Sequence, residues 1–453
     1  MPQVCDFKPH EYQRRAIRYV EDTPYCALFL DMGLGKSVIT LTAIRRLIDA
    51  AEVERVLVVA PLRVAQSTWA QEAAKWRHLT SLRVSVVVGT ARQRERAAES
   101  PADVYVTSRD NFVWLVGYYN GRLPYDMCVI DELTSFKNAR SVRFKAFRKV
   151  RGCFGRIVGL TGTPAPNTLV DLWAQMYCID GGATLGKSLT RYREQYFDIV
   201  RVGYIPIKVT PKAGAADAIR TAIAPEVLTM SAADYLTLPE MVEHDVAVAL
   251  DDKTYKGYRA FERDRVAETL AGEVTAASVA VLMGKLGQYA AGAIYTDGGG
   301  VQHLHTAKVE ALAEIVEAAQ SPVLVFYRYR FDVEMIEEAL ARQYRVRRCD
   351  GDADVVAWNA GEVDVLLAHP ASVAYGLNMQ AGGHYIVWTS LGWDLEQYLQ
   401  ANARLHRQGQ RQTVHVYRLV ARGTVDERAV AAIARKDETQ RAMLDALKNM
   451  SNV

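Results

Sequence analysis

Asp31-Met32-Gly33-Leu34-Gly35-Lys36-Ser37 is the stretch on which the reading of this 453-residue sequence turns. It follows a short apolar run at residues 26–30 (CALFL). It precedes residues 37–50, where apolar side chains recur at helical spacing. A glycine-rich turn between a strand and a helix is where backbone N–H groups at a helix N-terminus face an anion. Gly33 and Gly35 permit close backbone approach, Lys36 can reach β- and γ-phosphates, and Ser37 can hold Mg2+. The first glycine of the GxxxxGK[ST] pattern falls on Leu30, so the match is partial.

Further along, Asp131-Glu132 closes another apolar run, residues 127–130 (MCVI). At the C-terminal end of a parallel strand, one carboxylate of such a pair can hold Mg2+ while the other orients or deprotonates water. Two solvated loop acids are the alternative; it is the glycine loop upstream that favours the chemical reading.

The same alternation extends outward. Runs at 56–60, 84–88, 104–107 and 157–161 predict further strands with helical patterns between them, so the fold class is α/β with parallel sheets covered by helices. From 171 to 300 the β signal fades, apart from an extended run within 236–250, and Gly298, Gly299 and Gly300 suggest a flexible joint. A second series follows, with strands at 323–327, 363–368, 385–389 and 414–420 and a long helix from Asp426. The expected organisation is a first lobe at 1–180, a mostly helical insertion and linker at 181–300, and a second lobe at 301–453.

Composition narrows the class. Fifty-five Lys and Arg against 52 Asp and Glu give a formal charge of +3, so any polyanion site must rest on local charge. Six scattered cysteines without a CxxC pair argue against zinc ribbons and a disulfide framework. No leader-like N-terminus and no membrane-length apolar run is visible, which predicts an intracellular, cytoplasmic protein.

The ordered motifs resemble those of superfamily-two helicase-like ATPases, specifically the Swi/Snf-like branch, over nearly the whole chain. KPHEYQ at 8–13 resembles the adenine-reading segment, with Gln13 facing the base. DMGLGKS resembles motif I, APLRVAQSTWAQEAAKW at 60–76 motif Ia, VTS at 106–108 motif Ib, DELTSFKN at 131–138 motif II, and LTGTPAPN at 160–167 motif III. VLVFYRYR at 323–330 is similar to motif IV, YGLNMQ at 375–380 to motif V, and QANARLHRQGQ at 400–410 to motif VI, the most specific of the set. The resemblance implies two RecA-like lobes and ATP with Mg2+ as cofactors. It implies nucleotide contacts at Gln13, Asp31, Met32, Gly33, Leu34, Gly35, Lys36, Ser37, Gly376 and Gln380. Ser37 and Asp131 would hold the metal, and Lys36, Asp131, Glu132, Arg404 and Arg407 would carry the chemistry. Leu133-Thr134 stands where the branch has Ala-His, and Trp393-Asp394-Leu395 where it has Trp-Asn-Pro. Without the histidine, coupling to motif III would run through Thr134 or Gln380. The absence of reader modules suggests a bacterial or phage protein, in the latter case one acting in host cytoplasm.

For nucleic acid, Arg63, Thr107, Ser108 and Ser372 match the family's backbone-contacting loops. Two cationic runs stand beside them: Arg140, Arg143, Lys145, Arg148, Lys149 and Arg151, and Arg328, Arg330, Arg345, Arg347 and Arg348. Each is either a solvated face or a phosphate contact. In the first run Val142, Ala146, Phe147 and Val150 are the expected buried stripe, and Trp69 and Trp76 are expected in the core. The implied function is an ATP-driven translocase on duplex DNA. A strand-separating helicase and a catalytically silent nucleic-acid-binding scaffold are its rivals, and the sequence names no protein partner.

Overall fold

The computed structural model describes residues 4–165, 167–202, 205–271, 276–296, 298–373 and 377–451. The chain forms two compact units, Met1–Leu236 with Asp437–Val453, and Thr237–Lys436.

In the first unit the apolar runs become strands β1 (Tyr25–Leu30), β2 (Val56–Ala60), β3 (Val84–Val87), β4 (Val104–Ser108), β5 (Met127–Asp131) and β6 (Arg156–Thr161). A hairpin, β7 (Phe197–Val202) with β8 (Ile205–Pro211), and then β9 (Val227–Met230) follow. Seven of these make a parallel sheet in the order β3-β4-β2-β5-β6-β1-β9. Strands such as β2 are buried at every position, because helices cover both faces of a parallel sheet. Helices α1 (Glu11–Asp22) and α2 (Lys36–Asp49) flank β1 in sequence. The register fixes the site: Leu28 of β1 and Asp131 of β5 both pair with Leu160 of β6. The loop after β1 and the acids ending β5 therefore leave the same carboxyl edge of the sheet, where ligands of open α/β sheets bind.

The second unit repeats the plan. Strands β10 (Met241–Val248), β13 (Val323–Phe326), β14 (Val346–Arg348), β15 (Val365–Ala368), β16 (Tyr385–Trp388) and β17 (Val414–Ala421) form a parallel sheet, order β10-β17-β16-β13-β15-β14. A small hairpin joins β11 (Ala293–Tyr295) to β12 (Val301–His303).

The expected boundaries move. Residues 181–300 are shared between the units, because β9 extends the first sheet beside β1 while β10 borders the second beside β17. The helices Asp252–Ala271 and Ala276–Ala291 belong to the second unit, where Tyr258 and Leu286 pack with Ala421 and Val425. The glycine run is not a joint between lobes. It turns the β11–β12 hairpin, with Gly299 at φ +81° and Thr296 N–H donating to the Gly300 carbonyl at 2.9 Å.

Lys308 holds the second core to its last helix. Its side chain is 2% exposed; Nζ lies 2.6 Å from Asp426 Oδ2 and donates to the Thr389 carbonyl at 2.8 Å. Asp426 Oδ2 also accepts from the Ala421 N–H. Removing one partner of a buried pair strands the other charge, at a cost of about 3–5 kcal/mol. Lys308→Met should lower the unfolding free energy of the second unit by that amount, measured by denaturant titration; a loss under about 1 kcal/mol would mean that the pair is hydrated.

Candidate functional site

The glycine loop is built for close approach. Gly33 and Gly35 adopt φ of +86° and +81°, and a Cβ on Gly35 would meet Gln13 Nε2 at 2.9 Å. No side chain caps α2 at Gly35, so its first backbone N–H groups face the loop, the arrangement that takes an anion. Lys36 Nζ lies on the carbonyls of Leu30 at 2.7 Å and Asp31 at 3.3 Å, and beside it a Cβ on Gly162 would come within 3.7 Å. Gln13 is buried; its Oε1 accepts from the His10 N–H and its Nε2 donates to the Leu34 carbonyl, which ties the adenine-type segment to the loop. Met32 and Leu34 lie in the same turn, Leu34 fully buried, and Ser37 is the second residue of α2. The Asp31 carboxylate accepts from Ser231 Oγ and Ala232 N–H and so ties the loop to the segment after β9. These residues fit a triphosphate through backbone N–H groups and one ammonium.

Facing them, Asp131 and Glu132 end β5 with Glu132 at φ +61°, a left-handed turn that sends adjacent side chains to different partners. Asp131 Oδ2 accepts the indole N–H of Trp69 at 2.9 Å. Glu132 Oε1 accepts the hydroxyls of Thr134 at 3.1 Å and Thr161 at 2.9 Å, and Thr161 Oγ1 takes the Thr163 N–H. Burial pushes both carboxyls above their ordinary range. For Asp131 the Trp69 N–H and then Lys36 and Arg109 pull back; for Glu132 Lys36 pulls back while Asp131 pushes further. Thr134, in the place of the family histidine, thus joins motif II to motif III through Glu132. No group of three or more His, Cys, Asp or Glu side chains is placed for a metal among the described residues. One carboxylate and one hydroxyl do suit Mg2+, which keeps waters and binds through phosphates.

In the second unit, motifs V and VI are stitched together. Arg404, 8% exposed, donates from Nε to the Gln400 carbonyl at 3.0 Å and from Nη1 to the Leu377 carbonyl at 3.1 Å. Arg407 Nη1 donates to the same carbonyl at 3.2 Å. Gln410 bridges the carbonyls of Gln380 and Gly383. Gln380 keeps a buried Oε1 without a partner, and Gly376 lies outside the described residues. At the carboxyl ends of β13 and β15, Tyr327, Arg328, Tyr329, Arg330, Tyr295 and His369 line a cleft of about 650 Å³.

The nucleic-acid candidates separate. Arg63 is half-exposed ahead of a π-helical turn, Val64–Thr68. Thr107 is fully buried with its hydroxyl on the Val87 carbonyl, so it cannot touch a phosphate. Ser108, nearly buried, caps the helix Arg109–Tyr118 through the Asn111 N–H, and Ser372 Oγ donates to the His369 carbonyl. In the helix Val142–Val150 the buried residues are Phe144, Phe147 and Val150; Val142, at its first position, is 66% exposed. Arg151 turns inward to the carbonyls of Cys178 and Ile179. In the second run Arg345, Arg347 and Arg348 pair with Asp364, Asp354 and Glu337. Trp69 is core as expected, but Trp76 is half-buried, with Lys75 Nζ 4.6 Å from its ring centroid.

Residues 12–289 match the family model described as the SNF2-related domain. The putative protein p41 of Acyrthosiphon pisum secondary endosymbiont phage 1 is 34% identical, over 98% of this chain and 99% of its own length. An uncharacterized ATP-dependent helicase of Mycoplasma pneumoniae is 26% identical over 94% of this chain, which spans 41% of that protein. A putative ATP-dependent helicase/translocase of Bacillus subtilis is 24% identical over 88% of this chain and 44% of its own length. The SWI2/SNF2 ATPase core of Sulfolobus solfataricus, solved in complex with double-stranded DNA, aligns over the whole chain at 19% identity with a TM-score of 0.48.

The two hydroxyls on Glu132 make a direct prediction. Thr161→Val keeps shape and burial but removes the hydrogen bond to the Glu132 carboxylate, worth about 1.5–3 kcal/mol, together with the acceptor of the Thr163 N–H. ATPase turnover should fall at least about tenfold at unchanged nucleotide affinity, and Thr134→Val should do the same. Parent turnover in both variants would mean that Glu132 is positioned by something else.

Proposed function

The chain belongs to the SNF2-related family of ATP-hydrolysing, helicase-like enzymes, and from that premise we propose that it couples ATP hydrolysis to movement along duplex DNA. The observation that carries the reading is the half-buried Asp131–Glu132 pair leaving the same sheet edge as the glycine loop.

In this reading the loop N–H groups and Lys36 bind the β- and γ-phosphates and Gln13 reads the adenine edge. Mg2+, held by Ser37 and Asp131, would neutralise phosphate charge and favour departure of the β–γ bridging oxygen. Glu132 orients the attacking water and takes its proton as the oxygen–phosphorus bond forms. Arg404 and Arg407 offer planar guanidinium donors to charge spreading over the γ-phosphoryl oxygens. Thr134 and Thr161 hold Glu132 in line, while Gln380 and Gln410 brace the arginine segment. Repeated binding and release then advance the protein along phosphates, a motion that opens no base pairs. The runner-up, strand separation, has one observation in its favour: the Tyr327, Tyr329 and His369 rings of the second-unit cleft can stack on unpaired bases. A silent scaffold would have no use for the acid pair, the lysine and the arginines.

Glu132→Gln should bind ATP as the parent does yet fail to hydrolyse it; hydrolysis at the parent rate would remove Glu132 from its role. Arg407→Lys should turn over no faster than Arg407→Ala, because a point charge cannot reproduce the planar fork. On DNA, the protein should displace a third-strand oligonucleotide from a duplex and leave a fork intact. Rapid fork unwinding would hand the case to the helicase reading.

A further inference from the structure

Trp69 is, with Trp358, among the largest fully buried side chains of the described residues, and its position is not that of a simple core filler. An indole can only donate, and this one donates to Asp131 Oδ2 at 2.9 Å, from a different segment of the sheet's edge. The bond commits one carboxylate oxygen and fixes the rotation of the other.

The backbone that carries Trp69 is unusual. A single π-helical turn, Val64–Thr68, runs directly into α3 (Trp69–Lys75), with Trp69 as the first α-helical residue. Such turns are rare and concentrate at functional positions. They hold one residue in excess of an α-helix, so converting one to α geometry shifts the next residue by about 1.5 Å and about 100°. The outer end of the turn is at the surface: Leu62 is 52% exposed, Arg63 is half-exposed, and Ser67 Oγ donates back to the Arg63 carbonyl at 3.2 Å. One continuous segment of seven residues therefore runs from a surface cation to the N–H that holds Asp131.

We propose that Trp69 is a positioning residue that relays nucleic-acid contact at the Arg63 end of this segment to Asp131. This rests on the proposed function for the identity of the outer contact, and on the structure alone for the inner one. Phosphate contact near Arg63 favours one geometry of the π turn, the indole follows, and the Asp131 carboxylate is held where it can take Mg2+. Without the contact the carboxylate has a looser hold, and hydrolysis is slower. Nucleic-acid stimulation of the ATPase is then a property of the first unit's own backbone.

The test uses the full-length protein and Trp69→Phe, which keeps a buried aromatic ring and removes the N–H together with part of the indole's volume. Trp76→Phe is the control, since its indole N–H goes to Glu72 in the same segment. Binding of a non-hydrolysable ATP analogue is titrated with Mg2+, and ATPase rates are measured with and without duplex DNA. Losing a hydrogen bond to a charged group should raise the Mg2+ needed for half-maximal analogue binding about tenfold. Metal-free analogue binding should stay at the parent value, and DNA stimulation should fall to about a tenth. Trp76→Phe should match the parent throughout. Arg63→Ala, whose change lies at the surface, should lose stimulation while keeping the parent's Mg2+ response of analogue binding. A Trp69→Phe protein with the parent Mg2+ response overturns the hold on Asp131. Full stimulation in either Trp69→Phe or Arg63→Ala overturns the relay. Should DNA leave the parent's ATPase unchanged, the proposed function fails, and the Mg2+ titration still decides whether the indole holds Asp131.

Discussion

Two adjacent, half-buried carboxylates at the end of β5 set the terms for everything near them. Burial penalises the charge of both, and the neighbouring Asp131 penalises that of Glu132 again. The chain answers with partners drawn from separate segments: an indole N–H from the turn after β2, hydroxyls from the 3-10 turn after β5 and from the end of β6, and the Lys36 ammonium after β1. The left-handed Glu132 costs about 1–2 kcal/mol as a non-glycine residue. That conformation is what lets neighbours in sequence point to different partners, Asp131 to Trp69 and Glu132 to the threonines. The strain is local and the hydrogen bonds that hold it are not.

Convergence of this kind needs a parallel sheet. In β1, β2, β5 and β6 every chain leaves at the same edge, so four loops far apart in sequence meet there. Antiparallel neighbours would send alternate loops to the opposite edge. The uninterrupted apolar character of these strands and the clustering of chemistry at their ends are thus two results of one topology.

That is also why so much was legible. Long apolar runs bounded by glycine or acidic residues announce buried strands, and ten expected strands are present within a residue or two of their expected ends. What stayed hidden has physical causes. Val227-Leu228-Thr229-Met230 lies where the β signal fades, and only its pairing with β1 makes it a strand; missing it shifted the boundary between the units. The glycines at 298–300 serve equally well in a linker and in a hairpin turn, and only the partner strand decides between them. Asp31 reads as part of a phosphate loop because periodicity cannot show that Ser231, two hundred residues away, claims its carboxylate. Thr107 occupies a plausible motif position, but strand alternation alone does not say which face of β4 is covered when both are. Trp69 was legible as core and illegible as a donor, since burial follows from apolarity whereas a hydrogen-bond partner follows from three-dimensional neighbours.

The arginines make the same point about charge. With a net charge of only +3, attraction for a polyanion depends on which cations the fold leaves uncommitted. A phosphate approaching Arg345 would have to displace the Asp364 carboxylate, 2.6 Å away, and would gain little by exchanging one anion for another. Arg347 and Arg348 present the same obstacle through Asp354 and Glu337. Around the helix Val142–Val150 the balance differs. Arg140, Lys145, Arg148 and Lys149 are exposed and make no ion pair among the described residues, while Arg143 leans on Asp110 at 3.3 Å. There an incoming phosphate displaces only water and mobile ions, and release of DNA counterions adds to the gain. Two runs of similar composition thus differ in what they offer a phosphate, because three arginines of the second have already found their acids within the fold.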